Sequence, residues 1–210
     1  MPWTTPKTWT ATVVPVSDLN VHIRDNENLL KTSINDDGTL KTIKDRKTST
    51  TDVVNTTTET DAYSYTIAAG TFSTLNSVTF TGIGDCLNNS GSNKTLTIRV
   101  KLGATTIYTE AFTIATSATR NQVTVDAVVM AAGATNAQRS RVFVWLGTAG
   151  SGVDGTGSPS STALFSTIAT HSSVAEDSTT ALALKVTYQW GTADANASAR
   201  MLAGFTEIKA

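Results

Sequence analysis

Chemistry in this chain would have to come from two histidines, one cysteine and a scatter of carboxylates. His22 lies three residues before Asp25, and His171 stands in a Ser/Thr-rich stretch that reads as a turn after a strand. Neither belongs to a Cys-His or His-x-x-x-His pair, the spacing that brings zinc ligands together, so no metal site is expected. A catalytic nucleophile needs a base beside it and a third group to hold that base. No Gly-x-Ser-x-Gly elbow occurs, and Cys86, in Gly84-Asp85-Cys86-Leu87, reads as a small, partly buried residue at a strand end. Glycoside cleavage would need two carboxylates facing each other at about 5 to 10 Å. Asp85, Asp126, Asp154, Glu176 and Asp177 are available, and each reads as a turn residue or an outward strand residue. Asp154, in a glycine-rich stretch, has oxygen ligands to offer calcium but lacks EF-hand spacing, so a rim loop is the expectation. The chain is therefore expected to be neither an enzyme nor the holder of a cofactor or metal.

The elements that would have to position such groups follow from composition. A chain of 210 residues can enclose one ordinary core, with room for a short attachment segment. Charged residues are only 16% of the chain and threonine recurs in runs such as Thr56-Thr57-Thr58, which favours strands over helices. Lys and Arg number 16 against 17 Asp and Glu, with no basic run, so a nucleic-acid partner has no electrostatic support. A single cysteine excludes an internal disulfide. No run approaches a membrane span and the opening lacks a signal-peptide h-region; synthesis in the cytoplasm without membrane insertion is expected.

Along the chain, Pro2, Pro6 and Pro15 forbid a continuous helix over the opening, which reads as an extended arm carrying Trp3 and Trp9. Ser17 or Asp18 can cap a helix reaching to about residue 33. Val16, Leu19, Ile23, Asn26 and Leu30 recur there at alternating spacings of three and four, a coiled-coil seam with one polar layer at Asn26. Such a stripe either docks on the domain or meets two further copies about an axis, and two heptads do not hold together alone. Arg24, Asp25 and Asn26 suit a solvated helix face or an intersubunit salt bridge equally. Residues 1–34 thus form an arm and helix, residues 35–61 a Thr-rich linker with at most one weak strand, and residues 62–210 a β domain.

From residue 62 onward the period is two. Leu96, Ile98, Val100 and Leu102 alternate with Thr95, Thr97, Arg99 and Lys101; Val123, Val125, Ala127 and Val129 repeat the pattern, as do Leu182, Leu184, Val186, Tyr188 and Trp190. Further strands are predicted over residues 63–68, 75–80, 106–114, 141–146, 163–169 and 201–208. Turn signals separate them: residues 88–91, Gly103-Ala104, Gly133 and the glycine-rich stretch 147–161. Eight or nine short strands without crossover helices imply an antiparallel, jelly-roll-like sandwich, mainly β, with a core that includes Leu96, Ile98, Val100, Val125, Val144, Leu184, Val186 and Phe205.

Residues 9–31, WTATVVPVSDLNVHIRDNENLLK, resemble the opening of many small virion proteins of tailed phages, in which a tryptophan, a valine-rich stretch and an LN-x-H-I-R-D-N helix precede the body. Residues 88–110 and 184–210 are similar to the sandwich of such proteins. The resemblance covers about a third of the chain and implies a particle component, often trimeric: a tail fibre, a tail appendage or a capsid decoration protein. Its implied partners are further copies of itself, other virion structural proteins and, for a tail fibre, a glycan or protein of the host surface. Trp3, Trp9, Val13, Val14 and Val16 become the expected particle-docking residues, and Leu19, Ile23, Asn26 and Leu30 the oligomerisation helix. In a decoration protein the same arm would reach across capsid subunits, and no host ligand would be needed.

Overall fold

The computed structural model describes residues 23–27, 43–147 and 165–209. The chain divides into two compact units, Met1–Thr42 and Ile43–Ala210. In the first, residues 23–27 are helical, within the helix expected from the cap and the stripe. Ile23 of the proposed seam is 49% exposed and Asn26 is half-buried. Trp3, Trp9, Val13, Val14, Val16, Leu19, His22 and Leu30 lie outside the described residues.

The second unit is an antiparallel sandwich. Its strands are β1 (Ile43–Lys47), β2 (Thr51–Val54), β3 (Thr60–Ile67), β4 (Ser77–Asn88), β5 (Lys94–Leu102), β6 (Thr105–Ile114), β7 (Ser117–Ala134), β8 (Ala137–Leu146), β9 (Phe165–Val174), β10 (Leu182–Trp190) and β11 (Ala197–Lys209). One sheet has the order β1-β11-β4-β7-β8-β9, with β2 also paired to β11; the other has the order β3-β10-β5-β6. Eight of these strands, β2 to β7 with β10 and β11, alternate between the sheets in a definite order. The first, eighth, third and sixth form one sheet; the second, seventh, fourth and fifth form the other. That is the jelly-roll arrangement, with the β8–β9 hairpin inserted after the sixth strand and extending its sheet.

The inner faces follow the alternation. Leu96, Ile98, Val100, Val125, Val144, Leu184 and Val186 are buried as expected, with Trp190 and Tyr188 the largest fully covered side chains. Trp190 meets its polar requirement by donating Nε1–H to the Val53 carbonyl at 3.0 Å. Two-residue turns join β5 to β6 through Gly103-Ala104 and β7 to β8 through Thr135-Asn136. Gly103 holds a φ of +57°, a conformation that suits glycine in a tight hairpin. Gly133 lies just inside β7, at a register irregularity, and not in the turn itself.

Two expectations are corrected. Phe205 is half-buried on the outer face, because β11 bulges between Met201 and Ala203 opposite Gly84 and Ile83 of β4. One extra residue reverses the phase, so that Met201 points inward before the bulge and Thr206 and Ile208 after it. The segment 35–61 is also more than a linker: the sandwich begins at Ile43, since β1 and β2 occupy successive stretches of one edge of β11. Their interruption at residues 48–50 faces the same bulge, which bends β11 away from a straight partner.

Register also defines two poles. At one lie the start of β1, the turns 68–76, 103–104 and 135–136, residues 175–181 and the end of β11. At the other lie residues 55–59, 89–93, 115–116 and 191–196.

Candidate functional site

Of the carboxylates open to catalytic or calcium-binding roles, Asp85 stands on β4, Asp126 on β7, and Glu176 and Asp177 in the connection between β9 and β10. Glu176 clamps the β5–β6 turn: its Oε1 accepts from the Ala104 and Thr105 amides at 3.0 and 2.8 Å and from the Thr105 hydroxyl at 2.6 Å. Asp177 accepts from the amide and hydroxyl of Thr179, which hold its carboxyl below the usual range. Asp126 stands on the outer face of β7, and Asp154 lies outside the described residues. Among the described residues, no group of three or more His, Cys, Asp and Glu side chains is placed to hold a metal ion. His171 sits within β9, paired with Ser140 of β8, and not in a turn. Cys86, inside β4 near its end, is fully buried. Burial, with the neighbouring Asp85 charge, pushes its thiol up to about 12, against the contribution of a hydrogen bond with Asn121. A thiol so placed is not an available nucleophile.

Asp85 has the most developed surroundings. It points to the outer face of β4 yet is 0% exposed, because two arginines cover it. Arg200, directly across on β11, donates Nε–H to Oδ1 at 2.8 Å and Nη2–H to Oδ2, and Arg120 of β7 donates Nη1–H to Oδ1 at 2.7 Å. Arg120 also donates to the Ser198 hydroxyl at 2.8 Å. The fork geometry is the one that makes arginine pairs with carboxylates strong. Asp52 of β2, opposite Arg200, extends the ladder to the sheet edge, and the Asp85 bonds and charge raise the Arg200 guanidinium. With three charge-assisted hydrogen bonds on its two oxygens, the Asp85 carboxylate stitches three strands together.

The two outer faces differ. On the four-stranded sheet, Glu59 is paired with Lys101 and with Arg99 at 3.5 Å, and it accepts from the Thr187 hydroxyl at 2.7 Å. Arg99 also donates to Gln189 at 2.8 Å, and Lys185 pairs with Asp61 at 2.7 Å. That face is polar and internally neutralised. The outer face of the larger sheet carries apolar residues instead, including Ile83, Phe143, Trp145 and Phe205, all partly or largely exposed.

A shallow cleft of about 220 Å³ opens at the sandwich edge between β1, β2 and β3, lined by Asp45, Lys47, Thr51, Asp61, Tyr63 and Ser64. The Tyr63 hydroxyl donates to Asp45 Oδ2 at 2.7 Å and accepts from the Thr206 hydroxyl at 2.6 Å, which ties the two sheets across the mouth. Lys47 donates to the Thr51 hydroxyl at 2.6 Å, and partial burial lowers its ammonium against the opposing effect of Asp45. These side chains satisfy one another and seal the edge with polar groups.

No protein-family model and no curated protein matches the chain. Similar solved structures include the CBM2 module of the evolved Dit of Lactobacillus casei BL23 phage J-1, at 11% identity and a TM-score of 0.35 over 69% of this chain and 67% of that one. Lectin UEA-II complexed with galactose matches at 10% identity and a TM-score of 0.35, over 84% and 89% of the two chains. The Gt strain of infectious bursal disease virus matches at 12% identity and a TM-score of 0.27, over 80% and 40%. Likenesses at this level identify no function, and the fold assignment rests on the strand order itself.

Proposed function

We propose that the chain is a structural component of a tailed-phage virion, a trimeric tail fibre or tail appendage whose N-terminal segment docks on the particle. The reading rests on residues 9–31, with their tryptophan, valine-rich stretch and LN-x-H-I-R-D-N helix. The jelly roll supports it as a rigid body whose interlocked carboxylates serve packing. Loops 55–59, 89–93 and 191–196 lie at the pole of the sandwich opposite the start of β1. These loops, rich in Thr, Asn, Ser and Gly, are the candidates for contact with a host-surface glycan or protein.

Docking is assigned to Trp3 and Trp9, supported by Val13, Val14 and Val16. An indole buries on the order of 200 Å² when covered, a large gain on docking. Deleting residues 1–16, or changing both tryptophans to alanine, should leave the melting temperature of the free protein unchanged and abolish its incorporation into particles. A fall in melting temperature together with loss of oligomer mass would make the arm an internal brace and overturn the docking assignment. Immunogold labelling of intact particles at the tail is expected; gold spread over the head would replace the tail reading with capsid decoration.

A further inference from the structure

We infer that the outer face of the larger sheet, across β11, β4, β7 and β8, is the surface through which copies of this chain meet, turned toward a threefold axis. The inference rests on the trimer reading above and specifies which face makes the trimer.

Register places the relevant side chains in successive cross-strand rows. Phe205, Thr81, Asp126 and Phe143 form one row; Ala203, Ile83, Thr124 and Trp145 the next in one direction; Glu207, Thr79, Val128 and Arg141 the next in the other. Ile83 is 47% exposed and Met130, one row further on, 48%, while Val128, Phe143, Trp145 and Phe205 are half-buried. Phe205 and Ile83 form one apolar cluster and Val128, Met130, Phe143 and Trp145 a second, separated by Thr81, Thr124 and Asp126. Four strands at about 4.8 Å and seven residues at about 3.4 Å give the face a footprint on the order of 400 Å². That is half of the about 800 Å² that each partner gives to a standard interface, so the rest of the contact lies outside these rows.

Charge identifies the occupant as another copy. Asp126 stands half-buried in the middle of the patch and Arg139 and Arg141 stand exposed on the adjoining strand, yet no ion pair joins them to each other or to any other described residue. Both signs of unmatched charge on one apolar face are a surface that its own copy can complete. The opposite outer face contrasts with it: Glu59, Lys101, Arg99, Asp61 and Lys185 are all paired within the subunit.

The test is sedimentation of the purified full chain at micromolar concentration, comparing wild type with Ile83→Lys, Met130→Lys and, on the other sheet's outer face, Thr97→Lys. Wild type and Thr97→Lys should sediment at three times the 22.0 kDa subunit mass, and both patch variants should dissociate at least tenfold more readily, with unchanged circular dichroism. Met130 lies at the exposed rim, so its variant keeps the comparison valid should Ile83→Lys unfold. If both patch variants keep the wild-type mass, the face is wrong while the trimer stands. A wild type that is monomeric at tens of micromolar overturns both, and particle incorporation then decides the virion reading separately.

Discussion

Asp85 offers a sharp test of how this fold is held, because its two partners differ from it in access to water. Asp85→Ala removes a carboxylate that is 0% exposed and accepts three charge-assisted hydrogen bonds, leaving Arg120 and Arg200 with 25% and 30% of their side chains exposed. A hydrogen bond to a charged group contributes about 1.5 to 3 kcal/mol, but arginines that can turn to solvent recover part of the loss. The net cost should be about 2 to 4 kcal/mol, a fall in melting temperature of roughly 6 to 12 °C for a domain of this size. Removing both arginines should cost a similar amount, about 2 to 4 kcal/mol, because it breaks the same three bonds while uncovering the carboxylate to water. The decisive variant is therefore the triple one, in which Asp85→Ala added to Arg120→Ala and Arg200→Ala should change the melting temperature little, since its partners are already gone. Scanning calorimetry at one fixed protein concentration reads all four proteins without interference from subunit mass action. A triple variant more than about 1 kcal/mol less stable than the double, or an Asp85→Ala protein within about 0.5 kcal/mol of wild type, would refute the assignment of Asp85 as the carboxylate that holds the two arginines.

Three further outcomes follow from the geometry. Gly84→Ala would drive a Cβ into the Arg200 carbonyl oxygen across the β4–β11 ladder and should destabilise by about 3 kcal/mol or prevent folding, whereas Gly191→Ala meets only ordinary contact at 3.4 Å from Thr95 and should stay within about 0.5 kcal/mol; thermal melts compare them. Burial pushes the Glu59 carboxyl up, but its bonds to Lys101 and Thr187 and the nearby Arg99 charge outweigh that and hold it below its ordinary value of 4.5. A depressed acid stabilises the fold above its unfolded pKa and loses that contribution as pH falls through the folded one, so the melting advantage of wild type over Glu59→Gln should be full at pH 7 and vanish progressively below about pH 4.5. Cys86, with its thiol at about 12 and no exposure, should resist iodoacetamide at pH 8 in the native protein and react fully in denaturant, as mass spectrometry would show.

Strands buried on one regular face were legible from the sequence. β10 runs from Leu182 to Trp190 as the alternation requires, and β5 needed only one residue added at its start. Where alternation is interrupted, the reading failed in a definite way: the β11 bulge puts Phe205 outside, and nothing between Met201 and Phe205 signals an extra residue. The stretch holding β1 and β2 read as a linker with at most one weak strand because IKDRK and TDVV bury little of themselves; they persist by pairing with the edge of β11, whose residues lie about 150 positions away in sequence. Asp85 read as a turn residue or an outward strand residue; it stands on an outward strand face, but its burial depends on arginines 35 and 115 residues distant, and no local pattern announces them. The outward patch was missed because Ile83, Phe143, Trp145 and Phe205 come from three strands and gather only through register.

The pairing of β1 with the far end of β11 has a mechanical consequence. Ile43 lies opposite Glu207, so the chain enters the sandwich beside the place where it finishes, and both ends share one pole. A pull on Ile43 directed along the axis of β1 runs at right angles to its hydrogen bonds with β11 and loads the whole ladder in shear at once, where a sideways pull would open it one bond at a time. Tension then passes from β11 into its 12-residue partner β4 and onward to β7, the longest of the described strands, so a load applied at Ile43 is spread across the breadth of the larger sheet. A bulky fusion after Lys209 would sit directly in that load path, whereas one inserted at residues 89–93 would lie at the opposite pole, clear of it.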